Sequence, residues 1–122
     1  MKNIIVIGGG ASGLMAAYTA ASTGKNVLLL EQNEKLGKKI YITGKGRCNL
    51  TNDCPPDEFL AHVVRGEKFL TRAAYRFSSA DTMAFFEQHG LSLKVERGNR
   101  VFPVTDNASD VTKTLERSCR DA

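Results

Sequence analysis

Hydrophobic positions fall into short blocks separated by polar stretches that carry glycine and proline. Ile4-Ile5-Val6-Ile7 is β-branched and uninterrupted, the pattern of a parallel strand buried on both faces. Leu14 to Thr23 is alanine-rich and free of breakers, which predicts a helix closed by Gly24. Val27 to Leu30 repeats the strand pattern and runs into Glu31. A polar turn over 32–37 leads to residues 38–52, where no helical period survives, so a long loop is predicted. Asp53 to Pro56 breaks the chain again, and Pro56 suits the first turn of a short helix over 57–64. Helices follow over 68–76 and 80–89. Ser78 or Ser79 caps the latter, Asp81 is placed to complete a capping box, and Gly90 ends it. Residues 91–96 alternate with period two, as in a strand with one buried face. A turn at 97–100 leads into Val101, Phe102 and Val104, the return strand of a hairpin. Pro103 either confines that strand to an edge or marks its end. Ser109 to Asp121 reads as a capped amphipathic helix with Val111 and Leu115 on one side.

This order predicts an α/β fold, a partial Rossmann-like arrangement of one β-α-β unit followed by helices and a β-hairpin. The hairpin is antiparallel in character and polar on one face, so it is a poor third parallel strand. The C-terminal remainder of such a fold is then absent. Residues 1–122 are expected to be the N-terminal part of a nucleotide-binding domain from a longer chain. Apolar surface along residues 4–7 is expected to stay uncovered.

Composition adds bounds. The 122 residues suit one modest core, and 42% hydrophobic with 25% charged residues is ordinary for a globular protein. The apolar runs are too short to span a membrane, and no leader pattern precedes the first strand, so a cytoplasmic location without a membrane partner is expected. Three cysteines without repeated spacing suggest neither a disulfide framework nor a metal site. The net charge of +4 is uneven: residues 1–50 hold seven basic and two acidic side chains. Lys35, Lys38, Lys39, Lys45 and Arg47 concentrate the excess and read as a phosphate-facing field. Tyr41 alone interleaves them, which argues against a nucleic-acid partner. Oligomeric state has no signature.

The candidate chemistry starts at Gly8-Gly9-Gly10-Ala11-Ser12-Gly13, a G-x-G-x-x-G turn between the first strand and the first helix. Gly8 permits the tight turn, Gly10 lets backbone N–H groups reach a pyrophosphate, and Gly13 lets the helix approach the strand. Ala11 and Ser12 supply backbone donors at the helix N-terminus. Glu31, 18 residues beyond Gly13, sits where a carboxylate accepts a ribose 2′-hydroxyl. An acid there disfavours a 2′-phosphate, and either FAD or NAD suits it.

With the loop Thr43-Gly44-Lys45-Gly46-Arg47-Cys48-Asn49-Leu50-Thr51-Asn52 and the later Arg100-Val101-Phe102-Pro103, the chain resembles the BaiN/YhiN-type family of FAD-dependent oxidoreductases. The resemblance runs the length of the chain. It implies FAD as cofactor, NAD(P)H as reductant and a small organic acceptor as substrate, steroid-like enones in one branch. By position, it extends cofactor binding from Gly8, Gly10, Ala11, Ser12, Gly13 and Glu31 to Lys39, Thr43, Gly44, Gly46, Arg47, Cys48 and Asn49. Lys45 departs from a small residue expected between Gly44 and Gly46, and a positive φ there would strain it. An NAD-dependent dehydrogenase and a non-catalytic remnant or interaction module are the competing readings.

Arg47 could pair with phosphate or reduced flavin, or lie exposed in the loop. Asn49 could meet the flavin's pyrimidine edge or cap the turn. Cys48 is either a thiol activated by Lys45 and Arg47, with Cys54 as redox partner, or a small buried group beside the flavin, the preferred reading. His62 and His89 suit surface or capping roles. Core packing is the default for Tyr41 and Tyr75. No catalytic acid is assigned.

Overall fold

The computed structural model describes residues 2–122. They form two compact units, one reaching to Cys48 and including Thr105–Ala122, the other spanning Asn49–Val104.

The first unit is built on strands β1 (Asn3–Ile7) and β2 (Asn26–Leu30), joined by helix α1 (Ala11–Ala21). The strands pair in parallel, with Ile4 opposite Val27 and Ile7 opposite Leu30. α1 ends one turn before Gly24, which takes φ +76° and donates its N–H to the Ala21 carbonyl at 2.9 Å. Helix α5 (Ala108–Asp121) is capped by Asn107, whose side chain accepts from the Ser109 N–H at 3.0 Å. It packs on α1 and closes a core of Leu14, Ala17, Ile40, Cys48, Val111 and Leu115. Thr114 and Ser118 are buried on α5 because their hydroxyls bond their own helix's carbonyls, each at 2.7 Å.

The expectation that β1 and β2 are buried on both faces is corrected. Their side chains alternate, half-covered on one face and exposed on the other, where Ile5, Ile7, Leu28 and Leu30 lie. A continuous apolar run shows that both faces favour burial, but the helices of this chain cover one. The uncovered apolar surface along 4–7 is present as expected.

Residues 38–52 also depart from a plain loop. Ile40–Gly46 winds as a 3-10 turn broken at Thr43, Gly44 and Lys45, and Thr51–Asn52 forms strand β3. Local pattern misses both, since a single buried anchor, Ile40, holds the turn and a distant partner recruits the strand.

In the second unit, β3 joins β4 (Leu93–Glu96) and β5 (Arg100–Pro103) in an antiparallel sheet ordered β3-β5-β4. The hairpin is as predicted, except that β5 is central. Pro103 therefore marks the strand's end, where its missing N–H costs no ladder bond, and the edge alternative falls. Val95 is exposed, against the alternation expected along 91–96, while Leu91 is buried. Helices α2 (Pro56–Ala61), α3 (Glu67–Arg76) and α4 (Ser79–Gln88) complete the unit. Pro56 occupies the first turn of α2. Ser78 caps α4 in a reciprocal box with Asp81: the Asp81 N–H donates to Ser78 Oγ at 3.2 Å, and the Ser78 N–H donates to Asp81 Oδ2 at 2.8 Å. Phe85 and Phe86 meet edge to face at 5.2 Å in a core with Leu60, Leu91, Val101 and Phe102. Among the described residues, no helix is long and apolar enough to cross a membrane.

Candidate dinucleotide site

The glycine turn follows β1 directly. Gly8 takes φ +100°, and its N–H donates to the Leu30 carbonyl at 2.7 Å, fastening the turn to β2. A Cβ on Gly13 would overlap the Gly8 carbonyl oxygen, so the close approach of α1 requires glycine there. A Cβ on Gly10 would meet nothing within 4 Å, so the backbone faces open space. Gly10 is the N-cap of α1, with no side-chain cap and no acidic residue in the first turn. The first turn thus carries no side-chain charge of its own against the positive end of the helix, and Ala11 and Ser12 are exposed in it. These features fit a bound pyrophosphate.

Glu31 follows β2 and reaches back to this turn. Its Oε1 accepts from the Gly9 N–H at 2.9 Å, while Oε2 accepts from the Asn33 N–H at 2.9 Å and Asn33 Nδ2 at 3.1 Å. The Asn33 and Gly9 backbone donors hold the carboxyl below the usual carboxylate range. A carboxylate oxygen with one donor retains a lone pair for a sugar hydroxyl. The motif's spacing singles out Gly8, Gly10 and Gly13 but not Gly9. Gly9 is buried, and a Cβ there would collide with the Leu36 side chain. The unbroken Gly8-Gly9-Gly10 run was the available signal. Asn33, two residues after the acid, is likewise outside the motif.

Residues 39–48 belong to the same unit. Lys39 is exposed, and Lys35 Nζ stands 5.5 Å from the Tyr41 ring centroid. Gln32, Asn33, Glu34, Lys35 and Lys38 line a shallow hollow just beyond Glu31. Thr43 Oγ1 donates to the Ile40 carbonyl at 2.7 Å. Gly44, Lys45 and Gly46 all take positive φ, +55°, +56° and +87°. The strain expected at Lys45 is therefore real, on the order of 1–2 kcal/mol for a residue with a Cβ. Arg47 Nη1 pairs with Asp106 Oδ1 at 3.0 Å, so its guanidinium is held against the start of the last segment.

Cys48 is buried, at φ +61°. Burial pushes its thiol up, partly offset by a hydrogen bond with the Thr43 side chain. The activated-thiol alternative, with Lys45 and Arg47 lowering the pKa, is corrected: desolvation dominates. All three cysteines are free thiols. Asn49 belongs to the second unit. With its amide nitrogen facing two carbonyls, it donates to Thr51 O at 3.0 Å and Val101 O at 3.3 Å. The two signature segments meet there as paired strands, Thr51 opposite Val101 and Asn52 opposite Arg100. His62 and His89 take the C-cap positions of α2 and α4, bonding the Glu58 and Phe85 carbonyls at 2.9 and 2.7 Å. Tyr75 is exposed, which corrects its default core assignment: α3 buries no residue completely. Among the described residues, no three His, Cys, Asp or Glu side chains gather as a metal site requires.

A parallel β-α-β unit, a glycine turn at an uncapped helix N-terminus and an acid after the second strand define a Rossmann-type dinucleotide-binding domain. The chain belongs to the family described as the HI0933-like protein Rossmann domain, whose model matches residues 2–122, in agreement with the BaiN/YhiN-type resemblance. It is 41% identical over 124 residues to a 3-dehydro-bile acid delta(4,6)-reductase of Clostridium scindens, covering 98% of this chain and 29% of that protein. It is 31% identical over 115 residues to the ribosomal RNA dihydrouridine synthase of Escherichia coli, covering 94% and 28% respectively. A shorter match, 54% over 41 residues, joins it to the (S)-6-hydroxynicotine oxidase of Paenarthrobacter nicotinovorans, covering 34% of this chain and 10% of that one. The chain spans less than a third of the length of these relatives.

Proposed function

We propose that this chain forms the FAD-binding N-terminal part of a flavin-dependent oxidoreductase, reduced by NAD(P)H and serving a small organic acceptor. The observation that carries it is Glu31, ionised and fixed by the Gly9 and Asn33 N–H groups beside an open glycine turn. The turn from Gly8 to Gly13 and the first N–H groups of α1 would hold the pyrophosphate, and Glu31 the adenosine ribose. Lys39, Thr43, Gly44, Gly46, Arg47, Cys48 and Asn49 are assigned toward the flavin. Bound FAD would supply the hydride-transfer chemistry. This chain's residues bind, orient and provide fixed charge. Glu31 suits NAD equally, but relatives named as a reductase and an oxidase, together with the loop over 43–52, favour the flavin. The delta(4,6)-reductase also points to an unsaturated acceptor.

The test is the absorbance of the protein expressed from its own reading frame, with chromatography of the nucleotide released on denaturation. Flavin bands and FAD are expected, and anaerobic NADH or NADPH should bleach them. A colourless protein that binds NAD would instead establish the dehydrogenase reading.

A further inference from the structure

The last helix sets a buried threonine against the segment that supports the glycine turn. Thr112 is 3% exposed. A Cβ added to Gly37 would lie 2.8 Å from Thr112 Cγ2, so this methyl occupies the space that a larger residue at 37 would need. The Gly37 N–H donates to the Gly9 carbonyl at 2.7 Å, and the Gly9 N–H donates to Glu31 Oε1 at 2.9 Å. Gly9 is thus tied on one side to the ribose acid and on the other to Gly37.

The Thr112 hydroxyl holds the far end of the same segment. Its oxygen lies 2.9 Å from the Tyr41 hydroxyl and 3.0 Å from the Ser109 carbonyl. A hydroxyl has one hydrogen and a carbonyl can only accept. Thr112 therefore donates to Ser109, and the Tyr41 phenol donates to Thr112. Between these contacts, the Ile40 N–H donates to the Gly37 carbonyl at 2.9 Å. One side chain braces residues 37–41 with its methyl and its hydroxyl.

We propose that Thr112, acting through Gly37 and Tyr41, is a positioning residue for the nucleotide site: it holds the Gly9 peptide in register with Glu31. The proposal rests on the flavin reading only for the choice of ligand. Neither Thr112 nor Tyr41 needs to touch the nucleotide.

The experiment compares Thr112→Val, Tyr41→Phe, their double variant and Thr112→Ser in the protein expressed from its own reading frame. FAD affinity of the apoprotein is read by quenching of flavin fluorescence, and apoprotein stability by urea unfolding. Tyr41→Phe should weaken FAD about fivefold, the worth of one hydrogen bond, and Thr112→Val, which also loses the Ser109 bond, at least as much. The double variant should be no weaker than Thr112→Val, because Tyr41→Phe removes a bond that Thr112→Val already lacks. Thr112→Ser keeps that bond but loses the methyl against Gly37, so its affinity should fall between the parent and Thr112→Val. The proposal is overturned if both single variants bind within about twofold of the parent. It is equally overturned if they lose stability while the affinity of the folded protein is unchanged. Tyr41 is half-buried, so Tyr41→Phe keeps the test open should Thr112→Val not fold. If the parent binds no FAD, the flavin reading fails by itself. The same variants titrated with NAD then decide the brace.

Discussion

Glu31 shows how a single side chain is prepared by its neighbours. Backbone N–H groups of Asn33 and Gly9 stabilise its ionised form, so its folded pKa lies below its unfolded one. The stabilisation is complete above the ordinary carboxylate range and is lost as pH falls through the lowered folded value. The fall of nucleotide affinity on acidification should therefore set in at a lower pH than the titration of an ordinary glutamate would give. Glu31→Gln keeps the shape but gives up the charge-assisted bonds. It should raise the nucleotide Kd about tenfold and remove this acid limb. Titration calorimetry over a pH series measures both, and an unchanged Kd in Glu31→Gln would exclude this residue from the site. Lys45 shows the opposite relation, a residue kept in a conformation that its Cβ opposes, between two glycines that accept it freely.

At the scale of elements, α4 owes its start to the reciprocal bonds of Ser78 and Asp81. Ser78→Ala should lower the unfolding free energy by about 1 kcal/mol in urea denaturation. A loss of only a few tenths would mean that packing of Phe85 and Phe86 alone sets the helix start. This cap was legible because serine and its acidic partner lie within one turn. The β-α-β unit was legible for the same reason, its apolar blocks and glycine turn being local signals. Features that depend on distant partners were not. β3 exists because Thr51 and Asn52 pair with Val101 and Arg100, and nothing near residue 51 announces it. Pro103 restricted β5 to two arrangements, and strand order decided between them. The site divides likewise. The glycines and Glu31 follow from spacing, whereas Gly37 and Thr112 matter through a contact that no local window spans.

For the molecule as a whole, the uncovered face of the first unit has the largest consequence. Ile5, Ile7, Leu28 and Leu30 present an apolar patch on β1 and β2. In residues 1–122 taken alone, replacing Ile7 and Leu28 by threonine should reduce both light scattering and the binding of a hydrophobic dye, with the circular dichroism spectrum retained. A loss of that spectrum would show that these side chains are needed for folding. The division of the chain bears on its synthesis. The second unit is one continuous stretch, Asn49–Val104, while the first is split around it. A ribosome releases residues in order, and continuous stretches are able to fold as they emerge. The glycine turn leaves the exit tunnel about a hundred residues before Thr112, which steadies its support. During that interval the nascent turn waits without its brace while Asn49–Val104 is made, so the arrival of α5 completes the support of the glycine turn, not its formation.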